Sequence, residues 1–170
     1  GHYAPATNRY SASAKIRNAD LVLLDPILNS VLSDIEGKAD ITAQVVGEGR
    51  NATLSGRVSA SSFGSTVNYT NVRYTAPSAK FTIENNHLQA SRIEVYDSDG
   101  NLGYLSIDTD LNNLRNVSYD ISAEVKDMLV INTTPVENET FYGHVYATGR
   151  ASFKGDKRGT KMDIDVTSSD

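Results

Sequence analysis

The chain has 170 residues and a net charge of -5, and 39% of its residues are apolar. This length suits one domain, and the apolar share is below the roughly 45 to 50% of typical soluble domains. The chain has no cysteine, which excludes a disulfide framework and a thiolate metal site. Its 16 basic residues form no stripe of the kind that nucleic acid requires, so nucleic acid is not an expected partner.

No apolar run approaches the roughly 18 residues that a membrane-spanning helix needs. The N-terminus also lacks the basic region followed by an apolar stretch that is typical of a secretory signal peptide. We therefore expect either a cytosolic protein or a chain whose targeting segment lies outside these residues.

Residues 1–19 are polar, with Pro5 near the start and only Tyr10 and Ile16 as anchors for packing. This composition predicts a flexible arm or an edge strand. Residues 20–170 carry regular apolar patterning, and we expect them to form one β domain.

One stretch has helical spacing. Asp25 is placed to cap a helix, and Pro26 suits its first position. Apolar residues then recur at helical spacing, namely Leu28, Val31, Leu32 and Ile35, and Gly37 follows as the residue that ends the helix. The pattern predicts a short amphipathic helix that packs against the sheet or over its open end. The acidic residues of this stretch disfavour docking onto an anionic membrane.

From Gly37 onward, apolar and polar residues alternate with period two. The clearest example runs from Val117 to Lys126, where Tyr119, Ile121 and Ala123 share one side of an extended chain. Such alternation predicts strands that are apolar on one face only. Turn residues separate the strands and no crossover helix intervenes, so neighbouring strands should pair antiparallel in an all-β fold.

The segment Asp97–Asn101, DSDGN, has two interpretations. With Gly100 at the sixth position of a calcium loop, Val95 and Ser106 would occupy the first and last ligand positions, where acidic residues are needed. The Asp99-Gly100 pair instead indicates a hairpin turn, which is the interpretation that we favour.

No motif points to catalysis or to a metal. His87 and His144 lie in polar positions and not beside a candidate nucleophile. We therefore predict no catalytic residues, no metal site and no cofactor.

A basic cluster surrounds one predicted turn and consists of Lys154, Lys157, Arg158 and Lys161. We interpret it as a solvated hairpin tip that protects the sheet edge from pairing with other chains. Contact with lipid head groups or with an acidic partner is the alternative.

Several runs resemble a known family over about Leu21 to Ser168. They are SDIEGKADITAQVVG, LSGRVSA, VNYTNVRYTAPSAKFTIENNHL and LVINTTPVENETFYGHVYATGRASFKG. The chain resembles the C-terminal region of TamB-type proteins of the AsmA-like group, in the form found in Bacteroidetes. The most specific part is the Asn132-Thr133-Thr134 turn, followed by Phe141-Tyr142-Gly143 and the strand at 145–149. The Glu137-Asn138 pair stands where relatives often have Asp-Asn.

The resemblance implies a piece of a very long periplasmic protein, anchored in the inner membrane by a helix outside these residues. It implies a curved sheet folded into a trough, or β-taco, with an apolar inner face. It also implies cooperation with an outer-membrane barrel of the Omp85 type in moving phospholipid and in assembling outer-membrane proteins.

Alternation and resemblance together predict a curved, mainly antiparallel sheet whose apolar face shields phospholipid acyl chains. The residues predicted to line this groove are Ile41, Val45, Leu54, Val58, Val67, Tyr69, Phe81, Ile83, Ile93, Val95, Leu105, Ile107, Val117, Tyr119, Ile121, Val125, Val145, Ala147, Phe153, Met162, Ile164 and Val166.

Three alternatives stay open at this point. The apolar positions can form a closed core, because alternation does not distinguish a filled interior from an open groove. The chain can act as a scaffold or chaperone that captures unfolded outer-membrane strands at a sheet edge. An adhesive or polysaccharide-active β-solenoid would need aligned carboxylates or stacked aromatic rings on the polar face, and Tyr146 alone does not make such a row.

Overall fold

The protein is a single ten-stranded antiparallel sheet in which the strands follow one another in chain order. The structure, a computed structural model, describes residues 1–4, 8–112 and 116–169. The strands are β1 (His2–Ala4), β2 (Arg9–Asp20), β3 (Leu32–Glu48), β4 (Asn51–Val67), β5 (Val72–Glu84), β6 (His87–Tyr96), β7 (Leu102–Asp110), β8 (Ser118–Thr133), β9 (Gly143–Asp156) and β10 (Gly159–Ser169).

The sheet is curved and does not close into a barrel, and β1 and β10 are its edges. The predicted all-β, mainly antiparallel fold with one short helix is therefore confirmed. Tight connections follow from local chemistry. Asn85 and Asn86, for example, both have positive φ, as the two central residues of a type I′ hairpin turn require.

Curvature arises from residues in the left-handed region inside the long strands. Asn18, Asp34, Arg92 and Asp127 have φ between 48° and 56°, and each lies at a shift in strand register. Such a bulge adds one residue to one strand, which bends that strand and increases its local twist. Asparagine and aspartate tolerate this conformation better than most residues, which explains three of the four identities.

The helical segment is shorter than its spacing predicts. A 3-10 turn spans Leu21–Leu24 and α1 spans only Asp25–Leu28. The cap is Asp20, whose side chain accepts a hydrogen bond from the Val22 amide, and Asp25 lies inside the helical segment. Leu32 and Ile35 belong to β3, where Leu32 pairs with Val67 of β4 and Ile35 is buried.

The segment 1–19 contributes strands to the sheet. Its β1 pairs with β2 from His2↔Ser11 to Ala4↔Arg9. In turn, β2 pairs with β3 from Arg9↔Glu48 to Asp20↔Lys38. The described part of this segment is thus continuous with the rest of the sheet.

The core lies on the apolar face of the sheet and is built mostly from alanines. Its buried members are Ala39, Ala60, Ala76, Ala79, Ala90 and Ile93, and larger side chains such as Leu21, Phe63 and Phe81 pack against them. Small side chains let the bent strands approach one another closely, which larger residues at these positions would prevent.

A second buried region lies where β5 meets β8 beyond the short β6–β7 hairpin. We call it the pinned region and define it by Val72, Tyr74, Asp97, Met128 and Leu129. The backbone is joined there by Asn132 N to Thr70 O at 2.8 Å. The Tyr74 hydroxyl donates to Leu129 O at 2.9 Å, so the strands on either side of the hairpin are tied directly together.

Candidate functional site: the apolar face of the sheet

The strand registers place most of the larger apolar residues of β2–β10 on one face. One row can be followed by direct cross-strand partners through Ile16, Ile41, Val58 and Phe81 on β2–β5. It continues through Ile107, Ile121, Phe153 and Met162 on β7–β10. Because partners in an antiparallel pair point to the same side, these side chains form one continuous apolar face.

Most of the predicted lining residues are half-buried on this face. They are Ile41, Val45, Leu54, Val58, Val67, Phe81, Ile83, Val95, Leu105, Ile107, Tyr119, Ile121, Val125, Val145 and Phe153, whereas Ile93 and Ala147 are buried. Half-burial means that these side chains touch their neighbours in the sheet while one side of each remains open.

Five predicted lining residues are exposed. Met162, Ile164 and Val166 keep the alternation of the apolar face but lie on the edge strand β10. Val117 precedes β8, and Tyr69 lies in the turn between β4 and β5. The alternation with Val67 places Tyr69 on a strand, but the chain turns at Asn68, so Tyr69 is outside the sheet.

Among the residues that the structure describes, no second layer covers the whole apolar face of the sheet. The chain exposes 11209 Å², whereas a compact protein of 18.4 kDa exposes about 8,200 Å² by the usual size scaling. The excess is what a single curved layer produces, because a closed two-layer core would remove more apolar surface from solvent.

The alanines of the core and the residues of the pinned region are absent from the predicted lining. The alanines occupy the same alternating positions as the larger residues, so the alternation does place them on the apolar face. Their side chains are small, however, and contribute little to the apolar pattern of the sequence. Met128 and Leu129 are both almost fully buried although they are adjacent in the chain. The bulge at Asp127 breaks the alternation there, and no sequence period predicts it.

Asp97 is the polar centre of the pinned region. Its carboxylate accepts hydrogen bonds from the amides of Asp99 at 3.0 Å, Asn101 at 2.8 Å and Leu129 at 2.7 Å, and from Asn101 Nδ2 at 2.9 Å. The predicted hairpin turn is present, and Asp97 also reaches across to β8.

Two opposing effects set the pKa of Asp97. Burial alone would raise the pKa of this carboxyl, but the hydrogen bonds, beginning with that from Leu129 N, favour its charged form. They outweigh burial, so the pKa lies below its ordinary value.

The opposite face of the sheet is polar and carries cross-strand pairs. His87 Nε2 lies 2.7 Å from Asp108 Oδ1. His144 contacts the hydroxyl of Tyr146 at 3.0 Å, and this hydroxyl donates to Asp99. Each histidine thus lies in a polar pair or network at the exposed surface.

A shallow recess of about 570 Å³ also opens on the polar face. The Arg92 guanidinium stacks 4.1 Å from the centre of the Tyr104 ring. Tyr104 begins a cross-strand row that continues through Glu124, Arg150 and Asp165, so charges of opposite sign alternate along it.

The basic cluster surrounds the exposed β9–β10 turn. Lys154 lies 3.4 Å from Asp120, and Arg158 forms an ion pair with Asp156 at 2.7 Å. The cluster lies on an edge hairpin, as its interpretation as a protective tip requires.

Within residues 1–4, 8–112 and 116–169, no group of three or more metal-ligating side chains is placed to hold a metal ion. Nor is any helix there long and apolar enough to span a membrane. Comparison with family models, with curated proteins and with solved structures found no match to this chain.

Proposed function

We propose that the apolar face binds phospholipid acyl chains, and that the protein is a non-enzymatic periplasmic component of outer-membrane biogenesis. The second part of this proposal depends on the resemblance to TamB-type proteins. That resemblance would place the chain in a longer protein anchored to the inner membrane, working with an Omp85-type barrel.

One observation carries the acyl-chain proposal. The apolar face continues across β2–β10, yet most of its large side chains are only half-buried in a single curved layer. An acyl chain laid along this face would remove the remaining apolar surface from water, with a gain of about 0.8 kcal/mol for each buried methylene. Head groups would stay in water at the strand ends.

Lipid retention tests the proposal directly. The protein is expressed in bacteria, and native mass spectrometry detects co-purified phospholipid, while displacement of a fluorescent fatty acid measures affinity. We compare Ile121→Asp, on the apolar face of β8, with Ser122→Asp, the next residue on the opposite face. Ile121→Asp should weaken fatty-acid binding by at least about tenfold, because a carboxylate opposes apolar contact, and Ser122→Asp should leave it unchanged.

A second variant guards against a folding defect. Ile164 lies on the same face but is more than half exposed, so Ile164→Asp should keep the circular dichroism spectrum and still reduce binding. Equal retention by all the variants, or absence of lipid from the unaltered protein, would contradict the proposal.

The open edge of β10 favours a second candidate function. β10 is the last strand of the sheet, and it combines an unpaired outer edge with exposed Met162, Ile164 and Val166. Such an edge can add an extended strand from another protein, as a scaffold for unfolded outer-membrane strands would. The Asp156↔Gly159 pair flanks a two-residue turn and is hydrogen-bonded, so the amides of even-numbered β10 residues, such as Ser168, face the open edge. Replacing Ser168 by proline would weaken β-addition at this edge, and loss of strand-peptide binding with intact fatty-acid binding would favour the scaffold.

A further inference from the structure

Exposed apolar side chains concentrate at one end of the sheet. Of the 15 large apolar side chains that the structure describes as exposed, nine belong to the connections 21–31, 68–71 and 134–142. We call six of them the apolar rim, defined as Leu23, Ile27, Val31, Tyr69, Phe141 and Tyr142. Leu23 and Ile27 are 71% and 73% exposed, so helix packing does not account for them.

Hydrogen bonds join the three connections into one surface. Asn68 donates through its amide to Val31 O and through Nδ2 to Asn29 O, both at 2.9 Å. Asn138 Nδ2 donates to Tyr69 O at 3.2 Å, and the rings of Tyr69 and Phe141 meet edge to face at 6.1 Å. The rim is therefore held together as a contiguous patch, which soluble monomers rarely expose without a binding role.

Charge is sorted between the two ends of the strands. The four connections at the rim end, which include 97–101, contain Asp25, Asp99, Glu137 and Glu139, besides the buried Asp97, and no lysine or arginine. The described residues of the connections at the opposite end include Arg50, Lys157 and Arg158 and no aspartate or glutamate. Any surface that covers the rim must therefore be apolar and must tolerate negative charge.

We propose that the apolar rim docks onto the surface of a zwitterionic phospholipid bilayer. Leucine, isoleucine and valine would enter the boundary between head groups and acyl chains, and the Tyr and Phe rings suit the head-group level. The outermost group of such a lipid is a cationic ammonium group, which complements the carboxylates around the rim. This inference rests on the proposed acyl-chain groove, because docking would bring the groove to its source of lipid.

The charges of the rim argue against two other occupants. A second copy placed rim to rim would bring two sets of carboxylates together, and like charges in contact oppose association. An anionic bilayer would repel the same carboxylates, since its surface potential attracts basic segments. The inference therefore predicts a lipid preference opposite to that of most peripheral membrane proteins.

Vesicle flotation tests this preference. The protein is mixed with vesicles of phosphatidylethanolamine and phosphatidylcholine, and separately with vesicles in which about a third of the lipid is phosphatidylglycerol. The protein should float with the zwitterionic vesicles, nearly independently of salt, and less with the anionic ones. Stronger binding to the anionic vesicles, or none to the zwitterionic vesicles, would overturn the inference.

Matched variants locate the contact. Leu23→Ser combined with Ile27→Ser should reduce vesicle binding at least about tenfold. Val46→Ser, which alters an exposed side chain on the polar face, should leave it unchanged. Equal binding by the rim variant would overturn the inference. Wild-type dimers in analytical ultracentrifugation that the rim variant dissolves would also overturn it, by assigning the rim to a second copy.

Fatty-acid binding separates this inference from the proposed function. A rim variant that loses vesicle binding but keeps fatty-acid affinity would support both. Wild-type protein that binds fatty acid but no zwitterionic vesicle would remove the rim inference and leave the groove. Vesicle binding through the rim without fatty-acid binding would remove the groove and leave the rim as a membrane-docking surface.

Discussion

Two isoleucines in the same cross-strand row have different environments. Ile93 on β6 is linked through Leu105, Ala123 and Ala151 to Ile164 on β10. Ile93 is 7% exposed, whereas Ile164 is 56% exposed. Both follow the same alternation and point to the same face, so the pattern alone treats them as equivalent.

The difference arises from what surrounds each residue. Ile93 follows the bulge at Arg92 and packs among the alanines of the core. Ile164 lies on an edge strand with a neighbouring strand on one side only. Alternation therefore predicts which face a side chain occupies, while curvature and the number of neighbouring strands decide how deeply it is buried.

The largest expected effect is a difference between these two positions. Ile93→Ala should lower the free energy of unfolding by about 2 to 4 kcal/mol, because it removes buried methyl groups and leaves a cavity. Ile164→Ala should lower it by less than about 1 kcal/mol, since its side chain is already mostly in water. Urea denaturation of both variants measures the difference, and similar losses would show that the apolar face is evenly covered.

The next largest effect concerns the hydrogen bonds by which Asp97 stabilises the pinned region. Asp97→Asn should lower the free energy of unfolding by about 1.5 to 3 kcal/mol at neutral pH, because the buried amides lose a charged acceptor. Asp165→Asn, on exposed β10, is the matched control and should change little. Chemical denaturation at neutral pH compares them.

The unaltered protein and Asp97→Asn should also differ in how their stability depends on pH. The folded-state pKa of Asp97 is lowered, so its stabilising contribution is complete above the ordinary aspartate pKa and is lost as the pH falls through the lowered value. The unaltered protein should therefore lose more stability in acid than Asp97→Asn does. Parallel acid profiles would argue that the carboxylate is not the acceptor that the structure shows.

The smallest effect concerns Tyr74, which joins β5 to β8. Burial, and next the charge of Asp97, raise the pKa of Tyr74 from 10.0 to about 12. Its contribution to stability is therefore present below pH 10.0 and is lost as the pH rises toward about 12. Tyr74→Phe should cost about 0.5 to 1.5 kcal/mol for the lost hydrogen bond and remove this alkaline dependence.

Ultraviolet titration provides the direct measurement. Of the nine tyrosines, Tyr74 should ionise last in the unaltered protein, after Tyr96 and Tyr146, whose pKa values are also raised, by the charge of Glu94 and by the hydrogen bond to Asp99. This late step should disappear in Tyr74→Phe. Tyr69→Phe, at an exposed ring, is the control and should leave the late step in place.

The sequence predicts the face of most apolar residues, because side-chain alternation is a local property of the strand. It predicts the turn at Asp97–Asn101 from its residue chemistry. It overextends the helix, since Leu28, Val31, Leu32 and Ile35 fit a helical face, and only pairing between β3 and β4 decides against it.

The pinned region could not be predicted from local pattern. The Asp97 carboxylate meets the Leu129 amide 32 residues further along the chain, and nothing in the segment DSDGN indicates this partner. The bulges at Arg92 and Asp127 could not be predicted from local pattern either. Each bends its strand, and the bend changes how deeply the neighbouring side chains are buried.

The order of the strands in space is also their order in the chain. Each hairpin therefore closes only a short loop of backbone, and the entropy lost in closing short loops is small. Folding can proceed largely by successive addition of neighbouring hairpins. The pinned region is the exception, because Tyr74 meets Leu129, which lies 55 residues further along the chain. The same arrangement allows a sheet of this kind to be lengthened or shortened by whole hairpins while the remaining strands keep their partners.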